Sequence, residues 1–222
     1  MNQETWSAVD DYFCERFVPA DPVLSDTLRA SDAAGLPPHN VSPNQGKFLH
    51  LLAKLQGARK ILELGTLGGY STIWLARALP KDGLLVTLEA NPTHAAVATA
   101  NIARAGLSHV VDIRVGNAID TLSTLASEGI APFDFIFIDA DKPNNPTYLE
   151  WSVALARPGT VIIGDNVVRN GAVADATSTD PNVMGIRQFC QLMTEHPRLS
   201  ATAIQTVGSK GFDGFSFALV TG

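Results

Sequence analysis

Four side chains in the second half of the chain, Asp139, Lys142, Asp165 and Asn166, carry groups suited to acid–base and metal chemistry. Asp139 closes the nearly all-apolar run Phe133 to Ile138, and Asp165-Asn166 closes Val161 to Gly164. If both runs are strands of one parallel sheet, these residues share the edge where open α/β sheets bind ligands. Two carboxylates and an amide oxygen make a hard donor set suited to a divalent cation, Mg2+ first, with Ca2+ or Mn2+ as alternatives. A lone Asp at a strand end usually caps the next turn. Asp139, Asp141, Asp165 and Asn166 converging on one end of a sheet favour a site instead. Lys142 follows Asp139 by three positions, and a cation beside it would disfavour its ammonium form. That makes it the candidate general base.

A second constellation lies earlier. Ile61 to Leu64 is a short apolar run, followed by Gly65-Thr66-Leu67-Gly68-Gly69 and a helix-forming stretch from Tyr70 to Leu79. Strand, glycine turn and helix open a nucleotide-binding α/β unit, and glycines without a Cβ would let a ligand approach the backbone. The turn departs from G-x-G-x-x-G, because Leu67 stands at the second glycine position. Glu89 lies roughly two dozen residues on, at the end of the next strand, where an acid accepts hydrogen bonds from ribose hydroxyls. Glycine turn and Glu89 together fit a dinucleotide or S-adenosylmethionine equally well. The five histidines show no metal spacing, and no serine sits in a nucleophile elbow.

The elements that must position these residues alternate. Trp6, Val9, Phe13 and Phe17 recur at helical steps, Pro19 and Pro22 break the segment, and a second helix is expected from about Asp21 to Ala34. Ser42 reads as an N-cap with Pro43 at the first helical position, and Gln45 completes a capping-box pattern for a helix through Leu55. Strands are expected at 84–88, 110–115, 133–138 and 161–164, with helices near 92–105, 118–128, 146–155 and 183–195. Two late strands, 201–207 and 215–220, joined by a hairpin over 208–214, add an antiparallel element. The fold class is a Rossmann-like, doubly wound, seven-stranded sheet with helices on both faces. One domain spans 1–222, with 1–57 as a helical lead-in and 58–222 as the core.

Hydrophobic residues make up 45% of the chain and charged ones 17%, as in ordinary globular proteins. A net charge of −6 with no Lys/Arg block argues against nucleic acid or an anionic membrane as partner. The first residues lack a secretory pattern, no apolar stretch is long enough to span a bilayer, and the two cysteines lie far apart without metal spacing. A cytoplasmic location is the expectation.

The motifs Glu63 to Ser71 (ELGTLGGYS), Phe137 to Lys142 (FIDADK), Gly164 to Gly171 (GDNVVRNG) and Gly208 to Phe215 (GSKGFDGF) carry a family resemblance. From about Leu36 to its end the chain resembles the cation-dependent class I O-methyltransferases, the group of catechol and caffeoyl-CoA O-methyltransferases and their bacterial homologues. The resemblance implies S-adenosylmethionine bound by Val41, Glu63, Gly65, Thr66, Ser71, Glu89, Ala118, Asp139 and Asp141. It implies a divalent cation on Asp139, Asp165 and Asn166, with Lys142 as base and Asn170 beside a phenolic, catechol-like substrate. It also implies a homodimer, to which Trp6, Phe13 and Phe17 would contribute.

There are departures. Gln45 stands where the plant enzymes carry an acid and Arg169 where they carry a tryptophan, and the N-terminal helices do not match the plant CoA-binding part. An NAD-dependent oxidoreductase would explain the glycine turn and Glu89 but leave Asp139, Asp165 and Asn166 idle. A non-catalytic S-adenosylmethionine-binding protein would need neither Lys142 nor the acidic cluster.

Overall fold

The computed structural model describes residues 2–222. Helix α1 spans Gln3–Phe17, α2 Pro22–Ala33 and α3 Pro43–Gln56. Then follow β1 (Lys60–Leu64), α4 (Tyr70–Ala76), β2 (Leu84–Glu89), α5 (Pro92–Arg104), β3 (Val111–Val115), α6 (Ala118–Glu128) and β4 (Phe133–Ile138). A 3-10 turn at Lys142–Asn144 leads into α7 (Asn145–Ala154) and β5 (Ala156–Asp165). After a second 3-10 turn at Ala172–Ala174 come α8 (Pro181–Glu195), β6 (Leu199–Gly208) and β7 (Gly211–Val220).

The seven strands lie in the order β3-β2-β1-β4-β5-β7-β6. Strands β3 through β5 pair in parallel, while β7 runs antiparallel to both β5 and β6. The expected doubly wound, seven-stranded sheet is therefore present. Its reversed strand lies inside the edge, with β6 outermost. Strand order reverses between β1 and β4, and their carboxyl ends open the crevice in which such folds bind ligands. Every residue of β4 is buried, as a strand covered on both faces requires. Two apolar clusters sandwich the sheet. One contains Ile61, Ile73, Trp74 and Phe135, and the other Leu62, Ile136, Leu149 and Phe189.

The structure revises several boundaries. Helix α4 stops at Ala76 instead of Leu79, and the next two residues close 3-10-type bonds, Ala78 N to Leu75 O and Leu79 N to Ala76 O. Pro80 follows and disfavours a helical Leu79. Strand β5 begins at Ala156, five residues early, because its pairing with β4 is irregular between Phe133 and Phe135. There Thr160 Oγ1 donates to the Phe133 carbonyl at 2.7 Å, tying the irregular stretch to β4. The late hairpin turn is only Ser209-Lys210, since Gly208 already pairs with Gly211. The capping box at α3 is half made. Ser42 Oγ accepts from Gln45 N at 3.3 Å, but the Gln45 side chain goes elsewhere. Helix α1 buries none of its residues, and its apolar stripe leaves Phe13 and Phe17 exposed. Among the described residues, no helix is long and apolar enough to cross a membrane.

Candidate active site

The crevice at the carboxyl ends of β1, β2, β4 and β5 is a cleft of about 1210 Å3. That exceeds the roughly 300–1,000 Å3 usual for one small ligand and leaves space for two molecules side by side. The glycine turn forms its floor. Gly65 adopts φ +100°, and a Cβ there would stand 2.5 Å from the Asp139 carbonyl oxygen. This glycine therefore brings β1 against the end of β4, where Asp139 N donates to Leu64 O at 2.8 Å. Gly68 packs in the same way, with Ser31 Oγ only 2.1 Å from where its Cβ would be. At both positions a Cβ would meet the protein's own atoms. That differs from the expectation that the missing side chains make space for a ligand.

Of the residues expected to hold a cofactor, Val41, Gly65, Thr66, Ser71, Glu89, Ala118, Asp139 and Asp141 all line the cleft. Glu89 accepts from Leu67 N at 2.8 Å through Oε2 and from Asn91 N at 2.9 Å through Oε1. It thus braces the glycine turn while facing the cleft. Asp141 accepts from the Tyr148 hydroxyl at 2.5 Å and from Asn144 Nδ2 at 2.6 Å. Burial and the Asp141 carboxylate push the Tyr148 hydroxyl well above the ordinary tyrosine range, so it stays a donor.

Glu63 lies elsewhere. It is fully buried on β1, does not line the cleft, and accepts from Ser71 Oγ (2.7 Å), Thr72 Oγ1 (2.5 Å) and Thr87 Oγ1 (2.7 Å). Thr66 Oγ1 lies 2.6 Å from Thr87 Oγ1, which extends the chain back to the glycine turn. Burial raises the Glu63 pKa to about 7 against the opposing pull of these hydroxyls. In this arrangement Glu63 anchors the residues that shape the turn and makes no approach to the cleft. The sequence signal for this role was available, since a strand acid ahead of Ser71, Thr72 and Thr87 needs hydroxyl donors.

The acidic cluster assembles from β4 and β5. Asp139, Lys142, Asp165 and Asn166 all line the cleft. Lys142 is 6% exposed, and its Nζ donates to Asp139 Oδ1 at 3.1 Å. The turn carrying Lys142 is clamped by α8, because a Cβ on Gly185 would come within 2.3 Å of the Lys142 carbonyl oxygen. Asp165 is 4% exposed; burial, and then the charge of Asp139, hold it above the usual carboxylate range. Its Oδ1 accepts from Asn166 N at 2.8 Å and its Oδ2 from Gln45 Nε2 at 2.7 Å. Asn166 takes a left-handed backbone (φ 56°), as do Arg169 (φ 54°) and Asn170 (φ 55°) in the same loop. Asn170 is exposed, donates through its backbone N–H to Phe212 O at 3.2 Å, and is not part of the cleft wall. Among the described residues no three His, Cys, Asp or Glu side chains come together as a metal cage.

The class that fold and cleft define is that of the methyl-transferring enzymes. A family model described as O-methyltransferase matches residues 16–215, and the chain belongs to that family. The chain is 52% identical over 220 residues to a catechol O-methyltransferase of Niastella koreensis, covering 99% of this chain and 100% of that one. A solved O-methyltransferase from Bacillus cereus in complex with SAH is 59% identical, with TM-score 0.98 over 99% of this chain and 100% of that one. The O-methyltransferase TomG of Streptomyces achromogenes, solved with SAM, is 51% identical, with TM-score 0.97 over the whole of both chains. This membership displaces the oxidoreductase alternative.

Proposed function

We propose that the protein transfers the methyl group of S-adenosylmethionine to a hydroxyl of a catechol-like phenol, with the help of a divalent cation. The supporting observation is the meeting, in one cleft, of the glycine turn and Glu89 with Asp139, Lys142, Asp165 and Asn166. The similar proteins solved with SAM and SAH, and the relative named catechol O-methyltransferase, support the co-substrate and acceptor class.

The donor chemistry fits a cation. Two carboxylates close enough for the charge of one to disfavour ionisation of the other share, among the described residues, the single positive charge of Lys142. Asp139, Asp165 and the Asn166 amide would hold Mg2+, leaving coordination positions for acceptor oxygens or water. When bound, the cation supplies Lewis acidity that favours the phenolate form of a hydroxyl. Glu89 would accept from the ribose hydroxyls, and the turn from Gly65 to Gly68 would orient the methyl donor. Lys142 would take the hydroxyl proton at Nζ, within the buried edge of the cleft. Holding donor and acceptor together in this cleft supplies much of the acceleration.

The same reading makes the protein a homodimer, with Trp6, Phe13 and Phe17 of α1 as part of the contact, Phe13 and Phe17 being exposed and Trp6 half-buried. Light scattering on the purified chain tests this. The activity itself is tested with methyl-labelled S-adenosylmethionine and a catechol panel, with Mg2+ and after exhaustive chelation. Undiminished turnover without metal would reject the cation.

A further inference from the structure

Two cations beyond the acidic cluster, Arg169 and Lys210, line the cleft. Beyond the acidic cluster, the wall continues into the loop that carries Arg169, three positions after Asn166, and the hairpin tip that carries Lys210. The two segments are tied together. Asp213, just past the tip, accepts from Val168 N at 3.0 Å and Arg169 N at 3.1 Å, and Asn170 N donates to Phe212 O at 3.2 Å. The left-handed backbone at Arg169 is thus held in place at both sides.

Neither cation, among the described residues, forms an ion pair with a carboxylate. Among the described residues the Arg169 guanidinium makes no hydrogen bond or ion pair, although it is half-buried. The Asp180 carboxylate, which caps α8 by accepting from Asn182 N at 2.8 Å, feels the Arg169 charge without bonding to the guanidinium. Lys210 Nζ spends one donor on the Pro38 carbonyl at 3.0 Å, a neutral acceptor, which carries the tip across the cleft mouth towards the 37–41 loop. Two cations without a bonded carboxylate leave positive charge on this wall available to an anionic group. Asp32, Glu89, Asp139, Asp141 and Asp165 also line the cleft, and the last four are engaged by the donors named above.

We infer that Arg169 and Lys210 determine acceptor specificity, selecting catechol-type acceptors whose ring bears an anionic side chain, a carboxylate being the simplest. The inference rests on the methyl-transfer reading and narrows it. Planar guanidinium and flexible ammonium would together grip a carboxylate while the ring hydroxyls face Asn166.

The test compares a catechol bearing a propionate side chain with its methyl ester. The saturated spacer keeps the acidity of the ring hydroxyls the same in both. The wild-type protein is expected to prefer the acid, chiefly through a lower KM that rises with ionic strength while that of the ester does not. In the double variant Arg169→Gln/Lys210→Gln the acid-to-ester ratio of kcat/KM should fall about tenfold, as expected for two partly exposed charge contacts. Arg169→Lys should retain part of the preference. Equal kcat/KM for acid and ester in the wild type, or a double variant that lowers both substrates alike, would overturn the inference. Failure of the wild type to methylate acid, ester or plain catechol would instead remove the methyl-transfer reading, and this inference with it.

Discussion

Gln45 Nε2 donates to Asp165 Oδ2 at 2.7 Å, joining the first turn of α3 to the end of β5 across 120 residues of chain. Asp165 is buried, and this neutral donor, with Asn166 N on the other oxygen, sets the orientation of its carboxyl group. Gln45 is therefore a positioning residue for the acidic cluster.

Gln45→Leu should raise the Mg2+ concentration needed for half-maximal methyl transfer by about 10–100-fold, the usual worth of a partner that orients a metal-binding side chain. Affinity for S-adenosylmethionine, measured by calorimetry, should change little. A metal requirement identical to wild type would remove the positioning role.

Lys142→Met should lower turnover by roughly 10²–10⁴, the range of a well-placed acid or base. The backbone at this point is held by Gly185, so the local turn should survive the change. Lys142→Arg distinguishes proton abstraction from charge, because it keeps the charge and cannot act as a base. Stopped-flow or steady-state rates within twofold of wild type for Lys142→Met would end its assignment as base.

Glu89→Gln should weaken S-adenosylmethionine binding by some tens of fold, roughly 2 kcal/mol for the loss of a charged acceptor. Glutamine can still offer an oxygen to one of the amides of Leu67 and Asn91, whereas Glu89→Ala would free both and loosen the glycine turn as well. Isothermal calorimetry on both variants separates the two effects. Equal wild-type affinity in both would exclude Glu89 from the cofactor site.

Glu63 gives a pH dependence with a definite sign. Its folded pKa is raised to about 7 by burial, from 4.5. The folded state then binds the proton more tightly than the unfolded chain does, so this contribution is complete below pH 4.5 and lost as pH rises through about 7. The loss amounts to about 3 kcal/mol at most. Urea unfolding of Glu63→Gln across pH 5 to 8 should show a flatter stability profile than wild type. Because Glu63 lines no part of the cleft, the same variant should bind S-adenosylmethionine within a few-fold of wild type. A loss beyond about a hundredfold with the fold intact would restore the direct contact implied by family resemblance.

Much of the architecture was legible in the chain because its signals are local. An apolar run ending in an acid marks a buried strand that emerges at the ligand edge, and Phe133 to Asp139 and Val161 to Asp165 both do so. The start of α3 was equally readable, since Ser42 caps an amide that follows it in sequence. What only the tertiary structure decided is which partner each polar group found. Glu63 turned inward to Ser71, Thr72 and Thr87, Gln45 left its own helix for Asp165, and Gly65 met the backbone of Asp139. Arg169 and Lys210 became one cationic wall only because β7 packs beside the 166–171 loop. Periodicity and capping depend on neighbours a few residues apart, whereas a buried polar atom must find a partner wherever in the chain the packing brings one.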